Sequence, residues 1–163
     1  MMERRNEAEG KEIEFVDRVK TPLGDGALVW SERGLRRFVL GGRVEGKERK
    51  LERFEDAMGR YFGGEAERFH FKVDLRGLTE FERRVLKAAR EIGYGEVRSY
   101  SWLAKRAGRP RAARAAGNVM AKNPLPIIIP CHRVIRSDGG LGGFSMQGGA
   151  KVKRKLQALE RRG

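Results

Sequence analysis

The single cysteine of this 163-residue chain, Cys131, closes the run Asn123-Pro124-Leu125-Pro126-Ile127-Ile128-Ile129-Pro130 and is followed by His132-Arg133-Val134. An apolar triplet bracketed by prolines delivers the thiol to the edge of a core rather than to a mobile loop. A buried thiol is often only a small hydrophobe. Here His132, Arg133 and the positive field around them favour the thiolate, which is the nucleophilic form. Adjacent side chains rarely bond to each other directly, so His132 is expected to act on Cys131 through a water or after a backbone turn. Glu160 lies in the last helix, where Val152, Leu156 and Leu159 mark the buried face, and it can orient the histidine. Cys131, His132 and Glu160 then make a relay resembling hydrolase triads in its chemistry.

The same residue counts exclude other chemistry. One cysteine permits no internal disulfide, as suits a cytoplasmic protein. Two histidines and one cysteine do not supply a four-ligand zinc site without an unusual share of carboxylates, so neither a structural metal nor a cofactor is expected. Few Asn and Gln beside a 36% charged content lean toward a thermophilic source.

The elements that must position the relay follow from pattern. Ile13 to Val19, Ala27 to Trp30 and Leu35 to Leu40 read as strands of a small antiparallel sheet, separated by Gly24-Asp25-Gly26 and by Ser31 to Gly34. From Glu48 to Phe62 the apolar residues recur at helical spacing, so a helix is expected to cover the sheet. His70 to Val73 is a candidate fourth strand. Thr79 with Glu82 forms a capping box before a helix whose apolar face carries Phe81, Val85, Leu86, Ala89 and Ile92. Ser99 is expected to cap a short helix through Ala107, and Pro110 to start another through Met120, which gives a helix-turn-helix. The chain is thus read as α/β (α+β): an N-terminal subdomain of sheet plus helix over residues 1–77, and a helical, winged-helix-like C-terminal subdomain over 78–163. No apolar run approaches the roughly 20 residues of a bilayer span, and the N-terminus lacks the apolar core of a secretory signal. A soluble cytoplasmic monomer is expected.

Charge selects between the halves. The chain has 36 Lys and Arg against 22 Asp and Glu, a formal net charge of +14. Almost all of that excess falls after residue 77, and no acid stands between Glu96 and Asp138. Such a half-chain bias fits a polyanion, nucleic acid first. The run Arg111-Ala112-Ala113-Arg114-Ala115-Ala116-Gly117 combines arginines with side chains small enough to bring a backbone close to a partner, so this helix is the one expected to press against DNA.

The strings GYGEVRSY, RAARAAGN and NPLPIIIPCHRVIRSDGGLGGF, with the basic helix that ends in Glu160, resemble the O6-alkylguanine-DNA alkyltransferases, also called methylated-DNA-protein-cysteine methyltransferases. The likeness is strong throughout the C-terminal half. In the N-terminal half it rests on element order and the YFGG segment. It implies DNA repair by direct reversal: Cys131 attacks the alkyl carbon on guanine O6 of duplex DNA, and O4-alkylthymine is expected as a further substrate of the same chemistry. The thioether so formed has no ready leaving group, and the protein is consumed after one event. The resemblance makes His132 the base acting through a water, Glu160 the carboxylate that holds it, and Asn123 a hinge tying the turn before the active strand to the helix-turn-helix. Tyr100 corresponds to the tyrosine that rotates the nucleotide and donates a proton, and Arg114 to the arginine finger filling the stack. Ser99, Ala112, Ala113, Ala115 and Gly117 are expected along the DNA, which is bound through its minor groove. Val134, Phe144, Ser145 and Lys153 are expected around the base pocket, with Lys153 at its rim. Phe144 stands where many relatives have tyrosine, and Ser145-Met146-Gln147 replaces the usual glycine run.

Three other functions fit part of this pattern. Alkyltransferase-like proteins bind such lesions without transfer, but they carry another residue in place of the cysteine. A cysteine hydrolase would turn over repeatedly and need an oxyanion hole. A sequence-specific regulator would follow from the helix-turn-helix alone, and equal affinity for unrelated duplexes would exclude it.

Overall fold

A computed structural model describes residues 12–142 and 148–162. Strands β1 (Phe15–Thr21), β2 (Gly24–Ser31) and β3 (Gly34–Leu40) form an antiparallel meander. The first hairpin turns on Pro22-Leu23, where Thr21 Oγ1 accepts from Leu23 N and donates to Gly24 O. Gly24 to Gly26 thus belong to β2 rather than to the expected turn. The second hairpin needs Gly34: its φ is +135°, and a Cβ there would lie 2.6 Å from Lys72 O. A short β4 (Lys47–Glu48) adds in parallel beside β1, so the sheet order is β3-β2-β1-β4 and the sheet is not wholly antiparallel.

The covering helix α1 is Phe54–Phe62, shorter than the expected Glu48 start. Before Phe54 the helical spacing rests on Leu51 alone, and tertiary hydrogen bonds to the sheet override it. Arg49 N donates to Val16 O, Leu51 N to the buried Asp17 carboxylate, and Trp30 Nε1 to Arg49 O. Arg53, at φ +70°, then turns the chain into α1. Phe54, Ala57, Met58 and Tyr61 are its buried face. The expected strand at His70 to Val73 reduces to one bridge between Leu35 and Val73.

Helix α2 (Glu80–Arg90) starts as its sequence indicates, with Thr79 Oγ1 accepting from Glu82 N at 3.1 Å. After β5 (Arg98–Ser99), Ser99 Oγ accepts from Trp102 N and caps α3 (Tyr100–Arg106). Helix α4 runs Ala113–Ala121; Pro110 and Arg111 form a turn before it instead of its first turn. Strand β6 (Val134–Ile135) pairs in parallel with β5, and α5 (Gly149–Arg162) closes the chain. One contiguous buried cluster runs from Phe15 and Trp30 through Phe54, Tyr61, Leu86 and Leu103 to Ile129, Cys131 and Leu156. The two halves therefore share a core, and side chains of the first reach the relay of the second. None of the helices among the described residues is long and apolar enough to cross a membrane.

Candidate active site

The run after α4 is built as a buried loop. Asn123 Nδ2 donates to Ile129 O at 2.8 Å and its Oδ1 accepts from Leu125 N at 3.0 Å, so one amide fastens both ends of the loop 125–129. Leu125, Ile127, Ile128 and Ile129 are all buried. Ile127 holds φ +75°, an unfavourable conformation for a β-branched residue that costs about 1–3 kcal/mol and persists only where packing dictates it. The loop delivers Cys131 into a 3-10 turn, Cys131–Arg133, and not into the expected strand. Pro130 lacks an N–H, and Arg133 N donates back to Pro130 O at 3.0 Å. A 3-10 turn rotates successive side chains by roughly 120°, so adjacent cysteine and histidine diverge.

His132 is fully buried and points at Glu160. The carboxylate is held from every side. Arg133 donates through Nε to Oε1 at 2.8 Å and through Nη2 to Oε2 at 3.0 Å, Gly95 N donates to Oε1 at 3.0 Å, and Tyr61 O–H donates to Oε2 at 2.7 Å. Burial alone would raise the Glu160 pKa, but the bonds from His132 and Arg133 hold it well below the usual carboxylate range. Burial in turn pushes the His132 pKa down, against the pull of Glu160. The imidazole is therefore neutral. An ionised carboxylate only accepts, so Nε2 carries the proton toward Glu160 and Nδ1 keeps its lone pair. That Nδ1 is buried with no hydrogen-bond partner among the described residues.

Cys131 is 1% exposed and lies within electrostatic reach of Tyr100 and Lys153. Burial, with the Cys131 charge adding, raises the Tyr100 phenol, which keeps its proton. Lys153 is not at a rim: it is fully buried, because α5 turns this position inward beside Val152 and Leu156. Its Nζ donates to Leu141 O and, at 3.4 Å, to Tyr100 Oη. Burial lowers its pKa to about 8, with Cys131 opposing.

The structure thus gathers Cys131, His132, Glu160, Asn123, Tyr100, Lys153 and the buried Val134 around one turn. Arg114 and Ala115 are exposed on α4, Ala113 and Gly117 are partly buried there, and Ala112 precedes the helix as its cap. A Cβ on Gly117 would meet Tyr100 at 3.7 Å, so this small residue faces the tyrosine. The hydroxyl of Ser99 is engaged by its cap. Phe144, Ser145, Met146 and Gln147 lie outside the described residues. Sequence reasoning missed two members, Tyr61 and Arg133 as a ligand of Glu160. A signal existed for the first: Tyr61 is the one hydroxyl-bearing side chain on the apolar stripe of α1, and a buried tyrosine hydroxyl usually finds a polar partner.

Residues 80–162 match the family described as 6-O-methylguanine DNA methyltransferase, DNA binding domain. The methylated-DNA–protein-cysteine methyltransferase of Mycolicibacterium paratuberculosis is 49% identical over 107 residues, covering 66% of this chain and 63% of that protein, a little under two thirds of its length. The protein of the same name from Methanosarcina barkeri is 40% identical over 158 residues, covering 90% of this chain and 96% of its own. In three dimensions, the crystal structure of Mycobacterium tuberculosis OGT in complex with DNA is similar, with a TM-score of 0.81 at 37% identity over 91% of this chain and 93% of that one.

Proposed function

This chain belongs to the 6-O-methylguanine DNA methyltransferase family, and from that membership we propose that it repairs duplex DNA by taking an alkyl group from guanine O6 onto Cys131. The observation that carries this reading is the state of His132: Nε2 bound to Glu160, Nδ1 bare and buried, one residue from the thiol. Nδ1 is the base. Through a water it takes the Cys131 proton, and Glu160 balances the imidazolium that results. The thiolate then forms a bond to the alkyl carbon as the carbon–O6 bond breaks, and the electron pair leaves with guanine. Tyr100, whose phenol retains its proton, supplies one to the departing base, while Lys153 donates to the phenolic oxygen. A thioether is not expelled by water, so each molecule acts once. O4-alkylthymine offers the same carbon–oxygen bond and is proposed as a second substrate.

The lesion must leave the stack to reach a thiol this deep, at a cost of a few kcal/mol. Exposed Arg114 on α4 fills the gap, and the small neighbours Ala112, Ala113, Ala115 and Gly117 let that helix approach the minor groove. Ser99 starts the helix packed behind it. Phe144 and Ser145 are assigned to the base pocket with Val134. The protein acts as a cytoplasmic monomer, with residues 1–77 and 78–163 as its two subdomains. In the deciding experiment the protein is mixed with an O6-methylguanine duplex and the Cys131 peptide is weighed. One added methyl per protein is expected. Unmodified Cys131 beside intact lesion overturns the reading, and repeated turnover points to a hydrolase.

A further inference from the structure

We propose that Tyr61, on the N-terminal helix α1, is a positioning residue of the relay: its hydroxyl bonds to Glu160 beside His132 and holds the imidazole with Nδ1 as the bare nitrogen. The reaction it serves rests on the function proposed above. The geometry does not.

Tyr61 is fully buried. Its ring packs edge-on against Phe62 and Tyr94, tilts against Phe69, and stands 6.4 Å from the His132 ring at 66°. These contacts fix where the hydroxyl goes: 2.7 Å from Glu160 Oε2 and 3.3 Å from His132 Nε2. A phenylalanine would serve the packing equally well. Nor does this core demand a partner for every phenol, since the Tyr94 hydroxyl is buried with none among the described residues. The Tyr61 hydroxyl therefore has a task that its ring lacks.

The task follows from counting donors at one oxygen. Glu160 Oε2 receives His132 Nε2–H, Arg133 Nη2–H and Tyr61 O–H. Each donor draws charge from the carboxylate and weakens its pull on the imidazole proton. With Tyr61 in place, His132 stays neutral with its proton on Nε2, the form in which Nδ1 accepts. Without it, Glu160 stabilises the imidazolium more strongly and the base is blocked at a higher pH. The near-neutral first half thereby contributes directly to the chemistry of the basic second half.

The chain has two histidines, His70 and His132, so nitrogen-15 NMR of the side chains resolves them, with His70→Gln as assignment. In Tyr61→Phe the titration midpoint of His132 is expected to rise by about half a pH unit or more, and the acidic limb of the Cys131 transfer-rate profile to move with it. Incorporation of 3-fluorotyrosine, a stronger donor of nearly the same shape, is expected to lower the His132 midpoint, and this arm holds if Tyr61→Phe does not fold. Met58→Ala, a cavity in the same helix, should lower the melting temperature and leave both readouts in place. An unchanged His132 midpoint in Tyr61→Phe, or in the fluorinated protein, overturns the proposal. The NMR readout needs no DNA, so a wild-type protein that fails to transfer methyl would sink the functional reading while the Tyr61 assignment is still decided.

Discussion

Arg133 and Glu160 are joined twice, Nε to Oε1 at 2.8 Å and Nη2 to Oε2 at 3.0 Å, with the carboxylate side chain only 2% exposed. Removing one partner of such a fork leaves the other charge buried. Glu160→Gln keeps the shape, loses the anion and turns an amide N–H toward a guanidinium. It is expected to destabilise the fold by about 3–5 kcal/mol. The midpoint of urea unfolding measures this, and the Cys131 methylation rate should fall with it because His132 loses its counter-charge. An unchanged midpoint would mean that Arg133 finds another partner.

Much of this arrangement was legible in the sequence because its signals are local. Thr79 and Ser99 announce their caps, the prolines around Ile127 to Ile129 announce a thiol fixed at the edge of the core, though on a loop and 3-10 turn rather than the expected strand, and the spacing of Val152, Leu156 and Glu160 places the acid on the inner face of α5. What was not legible depends on contacts distant along the chain. Leu51 extends the apolar spacing of α1 back toward Glu48, yet hydrogen bonds to β1 and β2 hold Arg49 and Leu51 out of the helix. Tyr61 looked like one more apolar residue of α1, since nothing within that helix shows that a carboxylate 99 positions later lies at its hydroxyl. Lys153, expected at the rim of the base pocket, is buried by the packing of α5 against the Cys131 turn, which its basic neighbours in sequence do not show.

Stability should fall on acidification in two stages. His132 is buried neutral with a lowered pKa, so between the unfolded value near 6.5 and the lower folded one, only the unfolded chain takes the proton. Stability therefore begins to drop below about pH 6.5. Glu160 and Asp74 are both held low, Asp74 by its hydrogen bonds to Arg76. Their contribution is complete above the unfolded carboxyl value near 4 and is lost as pH falls below it. Urea midpoints measured from pH 7.5 to 3 should show a shallow limb and then a steep one. Asp74→Asn should flatten the steep limb and spare the shallow one.

Lys153 sets stability against activity. Its folded pKa of about 8 lies below the unfolded value near 10.4, so the unfolded chain binds a proton throughout that window and stability falls as pH drops through it. At neutral pH the buried ammonium is a net cost. Lys153→Met keeps the length and removes the charge, and is expected to raise stability by about 1–2 kcal/mol after loss of the bonds to Leu141 O and Tyr100. Transfer should slow about tenfold, because the Cys131 thiolate loses its cationic neighbour. Thermal melts and methylation time courses on one preparation test both signs. A variant that melts lower would place the lysine among the supports of the fold.

Arg114 and Cys131 sit on different elements, one exposed on α4 and the other buried in the 3-10 turn that follows the loop 125–129. If Arg114 fills the gap left by a flipped base, its value exists only where there is a stack to fill. Arg114→Ala should then slow transfer from an O6-methylguanine duplex by about 10-fold or more, equivalent to roughly 1.4 kcal/mol or more at the transition state. Transfer from the free modified base should be almost unaffected. A plain phosphate contact behaves differently: its loss weakens binding to every duplex alike and reduces the salt dependence by about one ion. Measuring the rate on both substrates, and the affinity for undamaged duplex across a salt series, separates the two roles. Equal slowing on duplex and free base would remove Arg114 from the stack.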